Sequence, residues 1–87
     1  MNTGQDFRAL VISVVCEVAP DVDPAAIDPD APMAEQLDID SIDFLNIVVE
    51  INARTGIEIP ERDYPKLSTL NDAVGYLSRA QALLTRQ

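Results

Sequence analysis

The chain has no histidine and no tryptophan, one cysteine, three glycines and only six basic residues among 87. Without histidine, and with Cys16 as the sole thiol, it cannot build an internal disulfide, a Cys/His zinc site or a histidine-assisted nucleophile. Cys16 reads as a small, half-buried apolar residue of a helix. The scarcity of bases against 15 acids leaves a net charge of −9. Binding to nucleic acid or to an anionic membrane is thereby opposed, and partners with basic surfaces are favoured. The imbalance is local, because Glu17 to Asp63 contains 13 acidic residues and only two basic ones, Arg54 and Arg62. No apolar run approaches the roughly 20 residues of a membrane span. Met1 to Asp6 lack the basic region of a signal peptide, so the expectation is a cytoplasmic protein with no stable membrane insertion. The aspartates do not make a calcium loop: counted from Asp21, Ala25 and Ala26 stand where an oxygen ligand and a glycine are needed, and Pro29 and Met33 are equally unsuitable counted from Asp28. No metal site is expected.

What is present is a regular apolar pattern. At 87 residues and 47% hydrophobic, residues 1–87 have room for one domain with one core. From Asp6 to Ala19, the residues Phe7, Leu10, Val11, Val14, Val15 and Val18 recur at steps of three and four, which predicts a helix that Pro20 stops. The stretch up to Asp40 holds four prolines and six aspartates, with Ile27, Met33 and Leu37 as apolar anchors. It reads as a long ordered loop. A second helix begins at Asp40-Ser41, where either residue can cap it and Asp43 favours its positive end. It runs to Thr55, with Gly56 just beyond. After an extended Ile57 to Pro60, the polar stretch Glu61 to Lys66 predicts about one helical turn, limited by Pro65. Ser68 or Thr69 then caps a last helix that buries Leu70, Ala73, Val74, Leu77 and Leu84. The expected fold is all-α: a small bundle of three longer helices plus one short helix, with a long loop between the first two.

The second helix carries two apolar stripes. Phe44, Ile47, Val48 and Ile51 form one, and Ile42, Leu45 and Val49 form another that cannot face the same way. The second stripe is either an exposed ridge for a partner or is buried against the loop through Met33 and Leu37. Ser41 stands at the start of this helix, where unpaired N–H groups and the dipole suit a phosphate esterified to its oxygen. By itself, Asp40-Ser41 is also an ordinary N-cap.

The surrounding residues add to that reading, because Leu37-Asp38-Ile39-Asp40-Ser41-Ile42-Asp43 resembles the serine motif of acyl carrier proteins: leucine, glycine, any residue, aspartate, serine, leucine. Glu58-Ile59-Pro60-Glu61, Lys66-Leu67-Ser68-Thr69-Leu70 and Ala73-Val74-Gly75-Tyr76-Leu77 are similar to that family's downstream segments, so the resemblance spans roughly residues 6 to 80. It implies a carrier and not an enzyme: a phosphopantetheinyl transferase attaches 4′-phosphopantetheine from coenzyme A to Ser41, beside its motif neighbour Asp40, and acyl groups ride on the arm as thioesters. It implies acyl-transfer, synthase or acyl-activating enzymes with basic docking surfaces as further partners of a monomer. The docking face would comprise Ile42, Asp43, Leu45, Val49 and Glu50. An acyl-chain cavity would be lined by Phe44, Ile47, Val48, Ile51, Leu67 and Val74. The pathway implied is fatty acid, specialised lipid or polyketide biosynthesis. An aminoacyl or peptidyl carrier, or an acidic interaction module with no prosthetic group, are the alternatives. Two departures qualify the resemblance. Asp38 replaces the usual glycine, so the backbone there must do without glycine's freedom. Asn46, Asn52 and Ala53 stand where familiar fatty-acid carriers hold glutamates on an exposed face, which points to a specialised carrier with its own partners.

Overall fold

A computed structural model describes residues 6–84. Its first helix, α1 (Phe7–Val18), starts where the Asp6 carboxylate accepts the Ala9 N–H at 3.1 Å, which satisfies one of the first-turn donors the helix leaves open. Phe7, Val11, Val14 and Val15 are buried along one stripe, and this face packs against the two other long helices. Cys16 is half-buried, its thiol 3.9 Å from the Val22 carbonyl.

The connection that follows is more structured than a loop. It contains a 3₁₀ turn at Pro24–Ala26, capped by Asp23, and a single α-helical turn, α2 (Met33–Gln36). Ile27, Met33 and Ile39 are buried and Leu37 half-buried, so the anchoring set expected from the sequence gains Ile39. The Gln36 side chain braces the segment by accepting the Asp28 N–H at 2.9 Å and donating to the carbonyls of Asp28 and Ala31 at 2.7 and 3.1 Å. Three bonds tie the segment to the far end of the chain: Met33 N–H to the Ser68 carbonyl, Asn71 N–H to the Pro29 carbonyl and Asn71 Nδ2 to Asp30 Oδ1, at 2.8, 3.0 and 2.6 Å.

Helix α3 (Ser41–Thr55) buries Ile47, Val48 and Ile51 and ends on Gly56, whose φ of +74° is the left-handed conformation that glycine adopts without a Cβ penalty. The Gly56 N–H returns to the Asn52 carbonyl, and the Asn52 side-chain amide donates to the Ile57 carbonyl at 2.8 Å. The first bond uses a carbonyl that a helix end otherwise leaves unpaired, and the second ties the chain beyond the helix back to its last turn. The chain then runs extended, with Ile57 and Ile59 buried, into a 3₁₀ helix over Glu61–Leu67 that is longer than the single turn expected and includes Pro65. Of the two candidate caps for the last helix, Thr69 serves, its hydroxyl accepting the Asp72 N–H at 2.9 Å. Helix α4 (Leu70–Leu84) buries Leu70, Ala73 and Leu77, with Val74 half-buried. The side chain of Leu84 lies outside the described ones. The bundle is all-α, as its periodicity requires. No helix among the described residues is long and apolar enough to cross a membrane.

Candidate functional site

Ser41 owes its position to two consecutive local signals. Helix α2 stops at Leu37, and Asp38 follows with φ +54°. The next N–H, of Ile39, donates back to the Ala34 carbonyl at 3.1 Å. That six-residue closure over a left-handed residue is a Schellman stop, which places an apolar residue beside the helix it ends. Here that residue is Ile39, buried like Met33 of α2. The expectation that the chain forgoes glycine's freedom at Asp38 is corrected: the left-handed turn is kept and an aspartate adopts it, one of the few non-glycine types that visit this region.

Asp40 is extended (φ −85°, ψ 179°), and its carboxylate accepts the Asp43 N–H at 2.8 Å while its carbonyl accepts the Phe44 N–H at 2.9 Å. Asp40 is therefore the N-cap and Ser41 the first helical residue. Ser41 is exposed, and its hydroxyl has no hydrogen-bond partner among the described residues. The first N–H groups of α3 and its positive dipole end lie beside that hydroxyl, an arrangement that favours a phosphate ester on Oγ.

The ridge on α3 is in solvent: Ile42, Leu45 and Val49 are 68%, 47% and 58% exposed. Burial against Met33 and Leu37 is thus ruled out. Asp43 flanks the ridge, half-exposed. Glu50 differs, because it receives Arg54 Nε at 2.8 Å, and Arg54 also holds Glu17 of α1. The hydrogen bond from Arg54 holds the Glu17 carboxyl below its ordinary range, and the bonds to Glu17 and then Glu50 raise the guanidinium. Glu50 is therefore ion-paired within the fold, sharing one guanidinium with Glu17. Asn46 and Ala53 are exposed, whereas Asn52 is half-buried and committed to its helix end. The reading of Asn52 as an exposed face position is accordingly corrected.

Of the six residues expected to line an acyl cavity, Ile47, Val48, Ile51 and Leu67 are buried and Phe44 and Val74 half-buried against the core. Open space lies to one side of them. A groove of about 460 Å³ runs between Val48, Val49 and Asn52 of α3 and Glu58, Ile59, Pro60 and Tyr64 opposite. Tyr64, absent from the sequence-based set, stands edge-on to Phe44 with ring centroids 5.6 Å apart and planes at 69°. The neighbouring Asp63 accepts the Tyr76 hydroxyl of α4 at 2.8 Å and pairs with Lys66 at 3.3 Å. The Tyr76 bond, seconded by Lys66, holds the Asp63 carboxyl low, while burial and then Asp63 push the Tyr76 hydroxyl up. Among the described residues, no three acidic or cysteine side chains are placed to hold a metal ion.

Comparison with known proteins covers the serine, the ridge and the groove together. The family described as "Phosphopantetheine attachment site" matches residues 9–77. An acyl carrier protein of Renibacterium salmoninarum is 41% identical over 82 residues, 94% of this chain and all of that protein. One from Micrococcus luteus is 38% identical over the same shares. The meromycolate extension acyl carrier protein of Mycobacterium tuberculosis is 30% identical over 79 residues, 91% of this chain and 68% of that protein. A helix-start serine within a near full-length match of this kind leaves one family, and the chain belongs to the acyl carrier proteins, whose prosthetic group is phosphopantetheine.

Proposed function

We propose that Ser41 is the attachment residue and that the chain carries acyl intermediates of fatty acid or specialised lipid biosynthesis, without catalysing their conversion itself. The observation that carries this reading is an exposed, unpartnered serine at the first position of α3, inside the matched family span. On modification the Oγ–H gives up its proton and Oγ bonds to the pantetheine-side phosphorus of coenzyme A, while the pyrophosphate P–O bond breaks and 3′,5′-adenosine bisphosphate leaves. The attached group supplies a terminal thiol on which an acyl group is held as a thioester. This chain's residues do the rest: Asp40 fixes the helix start, the first-turn N–H groups that it leaves open and the positive helix end favour the phosphate, and Asp43 keeps a negative charge beside it for a basic partner. Ile42, Leu45 and Val49 form the apolar part of the docking surface, since three exposed residues of this size beside the modified serine invite a partner. The partners are a phosphopantetheinyl transferase and acyl-handling enzymes with basic surfaces, met in the cytoplasm by a monomer. The names of the relatives support a lipid cargo over an aminoacyl one, and the acid-rich middle of the chain supports the same choice.

The test is an intact mass after incubation with coenzyme A and a promiscuous phosphopantetheinyl transferase. The wild type gains one phosphopantetheinyl group and Ser41→Ala gains none. An unmodified wild type, or a gain at Ser13, Ser68 or Ser78, overturns the assignment.

A further inference from the structure

Ser41, Phe44, Val48 and Asn52 follow one another along α3 at steps of three, four and four, so they share a single stripe. That stripe leads from the serine to the groove, since Val48 and Asn52 line its α3 wall. Val48 lies about 10 Å along the helix axis from Ser41. Phe44 stands between them, and Tyr64 of the facing segment meets it edge to face. Leu67, one 3₁₀ turn beyond Tyr64, is 2% exposed, as is Ile51 of α3. The aromatic pair therefore stands where a chain leaving Ser41 either continues along the outside of α3 or turns inward toward Ile51 and Leu67.

The facing wall is not free to swing aside. Pro60 and Pro65 restrict the backbone on either side of Tyr64. Asp63 clamps the segment to α4 through Tyr76 and to its own next turn through Lys66. Buried Ile59 and Leu67 pin the two ends. The Tyr64 hydroxyl has no hydrogen-bond partner among the described residues, and Glu58 adds a carboxylate to the same groove. The open path is thus partly polar and only borders the core at Val48 and Ile59, while the inward path is stoppered by two rings.

We propose that Tyr64, braced by Phe44, is a specificity-determining residue that directs the carried acyl chain along the outer groove between α3 and residues 58–64 and excludes it from the core. This rests on attachment of the arm at Ser41 and extends it to the class of cargo. Short acyl groups, or ones bearing a hydroxyl or oxo group, are accommodated as well as long alkyl chains, because none of them is engulfed. A chain drawn into a core stabilises the fold in proportion to the methylenes it hides from water, whereas one lying along an open groove gains much less from each added methylene.

The experiment loads the protein with acyl-pantetheine groups of four, eight and twelve carbons from the corresponding acyl-coenzyme A donors, with intact mass proving the load before melting is measured. Failure to load rejects the attachment reading and is recognised at that first step. The wild type is expected to melt at nearly the same temperature with all three chains. Tyr64→Ala, and independently Phe44→Leu, is expected to gain several degrees between four and twelve carbons, while Tyr64→Phe keeps the flat profile of the wild type. A wild-type melting temperature that climbs steadily with chain length overturns the proposal. So does a flat profile in Phe44→Leu together with either a flat profile or failure to fold in Tyr64→Ala.

Discussion

Asp38 is the residue whose replacement should most cleanly improve the protein. At φ +54° its Cβ is crowded in a conformation that costs an ordinary L-residue roughly 1–2 kcal/mol, somewhat less for aspartate. Glycine removes that cost but widens the unfolded ensemble, which returns roughly 0.5 kcal/mol or more of the gain. The net expectation for Asp38→Gly is about 0.5–1 kcal/mol of added stability, or about 2–8 °C in melting temperature for a domain of this size. The substitution also deletes one negative charge from a chain carrying −9, and relief of self-repulsion alone would raise stability. Asp38→Asn separates the two effects, because it removes the charge while keeping a side chain that tolerates the left-handed region. Asp38→Ala removes the charge and that tolerance together, and should be less stable than Asp38→Asn by about 1 kcal/mol. Urea unfolding followed by far-ultraviolet dichroism reads all four proteins, with an unchanged denaturant slope as the check that the folded and unfolded states are the same. The order expected is Gly above Asn, and Asn above Ala. If alanine matches asparagine, or glycine falls below both, the stop between α2 and α3 does not depend on a left-handed residue.

Three further outcomes follow from the ion pairs and the ridge. Tyr76→Phe removes the bond that holds the Asp63 carboxyl low and, with it, the Tyr76 hydroxyl itself, which burial first and that bond second push up. The advantage of the wild type over this variant should be full between about pH 4 and pH 10, shrink as pH falls through the depressed folded value of Asp63, and shrink as pH rises through the raised value of Tyr76; a gap that stays unchanged as pH is carried below and above those limits would refute the pairing. Arg54→Gln should lower the melting temperature by loosening α1 from α3, and the difference should narrow as salt shortens the Debye length from about 10 Å to about 3 Å; a difference indifferent to salt would mean the residue acts by packing. Ile42→Ala and Val49→Ala should slow acyl transfer with partner enzymes while leaving the melting temperature within a degree or two, as truncation of exposed side chains implies, and Asp43→Lys should act mainly on the association rate; unchanged transfer in both alanine variants would remove the ridge from the docking surface.

The long helices are legible in the sequence because their ends are written in local chemistry. Asp6, Asp40 and Thr69 each accept a first-turn N–H three residues on, and Gly56 takes the left-handed exit. The shorter features were not legible in the same way. Helix α2 has only four residues, fewer than a periodic signal needs, and its stop uses aspartate where glycine is the usual sign. Ile39 therefore looked like a loop residue between two aspartates, although the left-handed turn before it sends its side chain into the core. Asn52 looked like a surface position because its partner is a backbone carbonyl five residues away, and no side-chain pattern announces such a bond. Tyr64 sits in a polar stretch next to proline, and its pairing with Phe44 is a tertiary contact that no local pattern announces. Ser41 itself was legible from both sources, the capping pattern and the resemblance, and the two agree on its place in the helix.

The position of the serine at one end of α3 has a consequence for how the helix divides its surface. Ile47 and Ile51 face the core, and that contact holds the helix in place through whatever happens at the other faces. Of the stripe Ser41, Phe44, Val48 and Asn52, the last two line the groove and Val48 is the buried member. Ile42, Leu45 and Val49 form the exposed ridge, and Val49 also lines the groove. A partner enzyme that covers the ridge therefore covers one edge of the groove as well. Contact at Val49 and release of a groove-bound chain are coupled by geometry alone, since the same side chain cannot be fully buried by the partner and fully available to the cargo. If the ridge docks a partner and the groove holds the chain, as proposed, docking competes for the acyl group at that shared edge without rearranging the core. The acidic surroundings act earlier and at longer range. With Glu50 occupied by Arg54, Asp38, Asp40 and Asp43 are the carboxylates nearest the serine in sequence that have no ion pair among the described residues, so negative charge is concentrated at the start of α3. On the proposed docking face, these charges steer a basic surface and the ridge, which starts at Ile42 beside the serine, supplies the apolar contact.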